Sequence, residues 1–180
     1  MAASSIQKRT SAMSADWRDR MSKWWISWGV FVAICFLAAA IGSWFTADSV
    51  NSWYPTLLKP AGTPPAWVFG PVWSTLYFLM GTAAWLVFRQ RSATSVTAAL
   101  ALFYGQLALN VAWSFVFFGL RQPGLALLDI VALLAAIIAT MTNFAPVSRL
   151  AVWLMTPYLG WVLYATYLNF GIWHLNRGAP

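Results

Sequence analysis

Residues 24–47 read WWISWGVFVAICFLAAAIGSWFTA, with no charged side chain between Lys23 and Asp48. This run exceeds the roughly 20 residues that a helix needs to cross a hydrocarbon core about 30 Å thick. The pattern recurs along the chain. Uncharged runs extend from Pro60 to Phe88, Ser92 to Leu120 and Leu150 to Asn176, and the run from Gln122 to Ser148 is broken only by Asp129. The runs are continuously apolar rather than alternating, which favours helices over barrel strands. The sequence therefore predicts an all-α membrane protein, a five-transmembrane-helix bundle with spans near 24–46, 67–88, 95–118, 124–144 and 150–173.

Composition points the same way. Apolar residues make up 61% of the chain and charged residues 8%, against roughly 45–50% and about 25% in soluble domains. The net charge of +7 reads as membrane topology rather than nucleic-acid binding. Lys8, Arg9, Arg18, Arg20, Lys23, Arg89, Arg91 and Arg149 fall on one side of a five-span protein; Lys59, Arg121 and Arg177 fall on the other. In a bacterial inner membrane this bias places the N-terminus in the cytoplasm and the C-terminus outside. Residues 1–23 are polar, Ser-rich and basic, and are expected to form a flexible tail ahead of a single transmembrane domain over 24–177. Cys35 and His174 are the only residues of their kinds, so neither an internal disulfide nor a Cys/His metal cluster can form within one chain.

The long connection, Asp48 to Ala66, is a Pro/Trp-rich loop between helices 1 and 2. It holds Trp53, Tyr54, Pro55, Lys59, Pro60, Pro64 and Pro65, and prolines fix φ while removing donors, so it should be an ordered extended loop or short turns rather than a helix. The other connections are short, which predicts that consecutive helices pack as antiparallel neighbours.

Thirteen tryptophans stand out. Those near span ends (Trp24, Trp25, Trp28, Trp44, Trp85, Trp153, Trp173) suit interfacial belts, whereas Trp113 and Trp161 lie inside spans. Helical spacing groups Trp73, Tyr77 and Gly81 on one face; Gln106, Asn110, Trp113 and Phe117 on another; and Pro157, Trp161, Ala165, Asn169 and Trp173 on a third. Polar side chains in lipid turn toward the bundle interior, so these stripes should face inward. Spacing alone leaves two readings open. The stripes are either ordinary interhelical packing with amides as glue, or an aromatic cavity for a flat hydrophobic ligand.

The stretch Trp53-Tyr54-Pro55-Thr56-Leu57-Leu58-Lys59-Pro60, followed by Pro64-Pro65-Ala66-Trp67-Val68-Phe69-Gly70-Pro71-Val72-Trp73-Ser74-Thr75-Leu76-Tyr77, resembles the signature of the TspO/MBR family. This family comprises the tryptophan-rich sensory proteins and the translocator protein, or peripheral benzodiazepine receptor. Further similarities are Gly105-Gln106-Leu107-Ala108-Leu109-Asn110 with Trp113, Phe117-Phe118-Gly119-Leu120-Arg121-Gln122, Asp129, Pro157-Tyr158-Leu159-Gly160-Trp161, and Leu168-Asn169. The resemblance implies a homodimeric five-helix membrane protein whose loop lids a pocket. It implies a receptor or carrier for tetrapyrroles such as protoporphyrin IX, or for sterol-like molecules, serving transport or stress sensing, with no required cofactor. By position, the ligand-binding residues would be Tyr54, Trp67, Trp73, Tyr77, Asn110, Trp113, Trp161, Ala165 and Asn169. The membrane would be bacterial, the inner one favoured, or the mitochondrial outer membrane in a eukaryote.

Two features depart from the family pattern. Gly62 stands where the loop usually carries a tryptophan linked in some relatives to porphyrin degradation. Phe170 and His174 replace the Tyr and Arg of the sterol-recognition stretch in animal members, a weak motif even when intact. The sequence contains no catalytic triad, paired carboxylates or phosphate loop, so a light- and oxygen-dependent porphyrin-degrading enzyme is the alternative rather than the leading reading. Asp129 and His174 are each expected to be structural or solvated rather than ligands. Ala101, Gly105 and Ala108 give small-residue spacing that would let backbones approach, either as the expected dimer interface or in packing within one chain.

Overall fold

The computed structural model describes residues 2–91 and 96–178, with side chains defined at 21, 23–91 and 96–178. Among these, the chain forms α1 (Ala2–Asn51), a 3-10 turn (Tyr54–Thr56), α2 (Ala66–Phe88), α3 (Thr97–Ser114), α4 (Pro123–Phe144) and α5 (Arg149–Asn176), and no strand. The segment expected as a flexible tail continues α1 instead, back to Ala2. Residues 2–23 contain neither Pro nor Gly, so nothing in them interrupts a helix already nucleated by the span that follows. Residues 92–95, in the connection expected between helices 2 and 3, lie outside the described residues.

Local chemistry sets the helix starts. Pro64 and Pro65 hold the backbone extended until α2 begins at Ala66. Pro123 occupies the first turn of α4, where its missing N–H costs nothing. The Ser148 hydroxyl caps α5 by accepting the Ala151 N–H at 3.3 Å. The α3–α4 turn uses a left-handed residue, Arg121 at φ 56°.

Four segments, 23–51, 66–88, 97–119 and 123–144, are long and apolar enough to cross a membrane. The fifth helix is longer than most of them but carries Tyr158, Tyr164, Tyr167, Asn169 and Asn176. These polar groups face the bundle or the loop rather than lipid, as the hydrogen bonds below show.

The packing order corrects one expectation. Consecutive helices are not all principal neighbours, because α2 packs chiefly on α1 and α5, and α3 on α4 and α1. The circuit around the bundle is therefore α1–α2–α5–α4–α3. The link between α2 and α3 is long enough for α3 to pass to the far side of α1, leaving an interior between α2 and α3.

Two core clusters fill that interior unequally. The larger holds Phe31, Cys35, Met80, Ala83, Ala84, Val87, Phe103, Ile137, Phe144 and Met155 toward the α2 C-terminus. The smaller, near the loop, has only Phe117, Ala126 and Ile172 fully buried. In α2 every buried residue lies between Leu76 and Val87. The loop half of the bundle is hollow.

Candidate ligand cavity

The hollow half encloses a cavity of about 530 Å³ between α1, α2, α3 and α5, beneath the loop. Seven of the residues expected to bind ligand line it: Tyr54, Trp73, Tyr77, Trp113, Trp161, Ala165 and Asn169. No lining residue is charged. The walls are aromatic rings set at angles to one another. Trp73 lies 5.4 Å from Tyr77, Phe69 lies 5.8 Å from Trp161, and Trp113 stacks on Phe117 at 5.0 Å.

Two expected residues are placed elsewhere. Trp67, in the first turn of α2, is 75% exposed and does not line the cavity. Asn110 is buried but does not reach the cavity, because Tyr77 stands between them. The Tyr77 hydroxyl donates to Asn110 Oδ1, Asn110 Nδ2 donates to the Tyr158 hydroxyl at 3.2 Å, and Tyr158 donates to Gln106 Oε1 at 2.9 Å. Every donor in this chain points away from the cavity, so Tyr77 presents only acceptor lone pairs to it. Gln106 Nε2, fully enclosed, has no partner among the described residues.

Asn169 does line the cavity, but both ends of its amide are engaged. Its Oδ1 accepts the Trp113 indole N–H at 3.0 Å, and its Nδ2 donates to the Pro123 carbonyl at 2.8 Å. It ties α3, α4 and α5 together and fixes the Trp113 ring. Among the described residues, the cavity side chains with no hydrogen bond are the indoles of Trp73 and Trp161 and the hydroxyls of Ser43, Ser74, Ser114 and Tyr54, and the Asn51 amide keeps a second N–H beyond the one it gives the Ala47 carbonyl.

Part of the wall was not expected from the sequence. Phe36, Ala39, Gly42, Ser43, Thr46 and Ala47 of α1 line the cavity. Their signal was available: small residues at 39, 42, 43, 46 and 47 follow helical spacing in an otherwise bulky span. Phe117 and Phe118 both face the cavity. They lie in a π-helical turn over Phe115–Gly119, with Leu120 N–H donating to the Phe115 carbonyl at 2.8 Å.

The loop is strapped to α5 through its own backbone. Tyr164 donates to the Gly62 carbonyl, Tyr167 to the Ala61 carbonyl at 3.0 Å, and Asn176 pairs with both the N–H (3.1 Å) and the carbonyl (2.9 Å) of Leu58. Gly62 has φ 83°, a conformation that disfavours side chains. Gly171 lets Pro60 sit directly on α5, since a Cβ there would lie 2.6 Å from the proline ring. At the same end Arg121 reaches Asp48 (3.3 Å) and Ser49, and Ser49 donates to the Phe118 carbonyl at 2.6 Å.

This arrangement has known relatives. A model of the TspO/MBR family matches residues 31–174. The chain belongs to the TspO/MBR family. It is 44% identical to the tryptophan-rich protein TspO of Archaeoglobus fulgidus, over 75% of this chain and 87% of that protein. It is 41% identical to TspO of Chlorobaculum tepidum, over 87% of this chain and 99% of that protein, and 41% identical to the translocator protein of Homo sapiens, over 86% and 92%. As a TspO/MBR member the chain is a multi-pass membrane protein. The residues aligned with the family thus include all four cavity-forming helices and the loop.

The remaining expected residues sit on the periphery. His174 is exposed and stacked on Phe170 at 5.9 Å, away from the cavity. Asp129 follows the buried stripe of α4 beside Ala126, Ile130 and Leu133 but does not line the cavity; its Oδ2 is enclosed and unpaired. Ala101, Gly105 and Ala108 form an exposed stripe on α3, and a Cβ at Gly105 would meet nothing within 4 Å.

Proposed function

We propose that this protein is a membrane receptor or carrier that takes a flat, hydrophobic ligand of the tetrapyrrole type into the cavity beneath the loop, for transport or stress sensing. The observation that supports this reading most directly is the uncharged aromatic cavity of about 530 Å³. Ring faces of Trp73, Trp113 and Trp161 offer stacking area, which ordinary core packing would have filled. Relatives bearing the names translocator protein and tryptophan-rich sensory protein fit both halves of the reading. A rigid sterol-like body is the nearest competing ligand class. We place the N-terminus in the cytoplasm on the charge bias, and assign the exposed Ala101/Gly105/Ala108 stripe to a homodimer contact.

Titration of the protein with protoporphyrin IX, followed by tryptophan fluorescence, tests the proposal. Saturable quenching is expected in the wild type, with affinity at least about tenfold lower in Trp161→Ala, the loss of one stacking partner. Quenching that never saturates, or that ignores Trp161, would overturn it. Repeating the titration in light tests the enzymatic alternative, which requires a new product spectrum.

A further inference from the structure

A second, more open pocket, about 540 Å³ in volume, lies at the loop and adjoins the main cavity, with Val50, Tyr54 and Ala66 in the walls of both. Lys59 is the one charged residue in its wall among the described residues. The lysine is half-buried, and its Nζ is held by the carbonyls of Pro55 (3.4 Å) and Leu57 (3.2 Å) and lies 4.8 Å from the centre of the Tyr54 ring. Two of its three donors are thereby engaged, and the charge is fixed in place rather than free in solvent.

Lys59 has no carboxylate partner among the described residues. Asp48 is turned to Arg121, and Asp129 lies on α4 outside both pockets. A partly enclosed cation without a counter-charge is costly unless something supplies one. Beside it, the Tyr54 hydroxyl has no hydrogen bond and borders both pockets. Burial pushes the Tyr54 phenol up from its ordinary value, with Tyr164 nearby adding to this, so the hydroxyl keeps its proton at neutral pH and can donate it.

We propose that the pocket under the loop is a subsite for a carboxylate carried by the ligand, with Lys59 as the counter-charge and the Tyr54 hydroxyl as a second donor, while the ligand's apolar body occupies the uncharged cavity. The division follows from electrostatics: an ionised carboxylate inside the main cavity would meet no charge at all, whereas here it meets one at the shared edge. The subsite thus selects amphiphilic ligands, flat and apolar at one end and acidic at the other. This rests on the cavity being the binding site.

The test compares protoporphyrin IX with its dimethyl ester, which keeps the ring and removes both charges, in phosphatidylcholine nanodiscs lacking anionic lipid. The wild type should bind the free acid about tenfold more tightly than the ester, as for one charge-assisted hydrogen bond, and the preference should shrink at high salt. Lys59→Met should abolish the preference while leaving ester affinity unchanged, which also shows that the loop still folds; Lys59→Arg should retain it. Equal affinity for acid and ester in the wild type, or a preference that survives Lys59→Met, overturns the subsite alone. If neither porphyrin binds the wild type, the cavity reading falls and the subsite with it.

Discussion

The two halves of the bundle are built from the same kinds of residue and solve opposite problems. In the half around Met80, Val87, Phe103 and Phe144 the side chains are fully enclosed and interlock, as in any close-packed interior. In the loop half, Trp73, Trp113 and Trp161 stand around empty volume. Size alone does not explain the difference, since indoles are larger than the residues of the packed half. The rings of the hollow half are held apart: Asn169 anchors Trp113, the π-turn carries Phe117 and Phe118 in the wall, and the tyrosines of α5 hold the loop over the top. The Tyr77–Asn110–Tyr158–Gln106 chain forms the floor between the halves. Packing stabilises one half, and hydrogen bonds keep the other open.

Breaking the packed half should cost stability and little else. Phe103→Ala, at a site with no exposure, is expected to lose about 3–5 kcal/mol in detergent unfolding, with porphyrin affinity unchanged in the folded fraction. A larger effect on binding than on unfolding would erase the distinction. The floor should couple both halves. Asn110→Leu strips partners from two buried tyrosine hydroxyls, and is expected to cost roughly 2–3 kcal/mol while also weakening porphyrin binding by freeing Tyr77; a variant normal in both assays would remove the floor from the account.

The loop straps should act on rates. Tyr164→Phe with Tyr167→Phe deletes two hydrogen bonds to loop carbonyls, each contributing about 1 kcal/mol. Ligand should dissociate several-fold faster in stopped-flow measurements, with an unfolding free energy lower by no more than about 2 kcal/mol; unchanged dissociation would mean the loop does not gate the cavity. The smallest effect on the fold should come from Gly105→Leu, where a side chain has open space. The unfolding curve should stay put while the dimer fraction falls by oligomer mass measured in bilayers. An unchanged mass would remove that face from the dimer proposal.

Much of this was legible in order and spacing. Apart from the start of α1, which runs back to Ala2, the charge-free runs marked the helices to within a few residues, because the bilayer's thickness leaves few alternatives. The inward stripe of α5 was readable because Trp161, Ala165 and Asn169 recur at one helical face. The placement of Trp67 outside the cavity lining was not legible, because position in a resemblance says nothing of which way a residue near a helix start turns. Nor were the partners of Asn110, because an amide buried in a membrane can pair with a ligand or with a tyrosine, and the tyrosines lie on other helices.

By itself the sequence determined that this chain is a multi-pass membrane protein built of five helices, and which helix faces carry its inward aromatic and amide stripes, since each follows from local hydrophobicity and a period of 3.6 residues. Only the tertiary structure decided that α3 packs beside α1 rather than α2, that a π-turn forms part of the wall, and that Lys59 lies beside an uncharged cavity without a carboxylate of its own. Those outcomes depend on which side chains meet across helices far apart in the chain, and a one-dimensional pattern carries no term for such meetings.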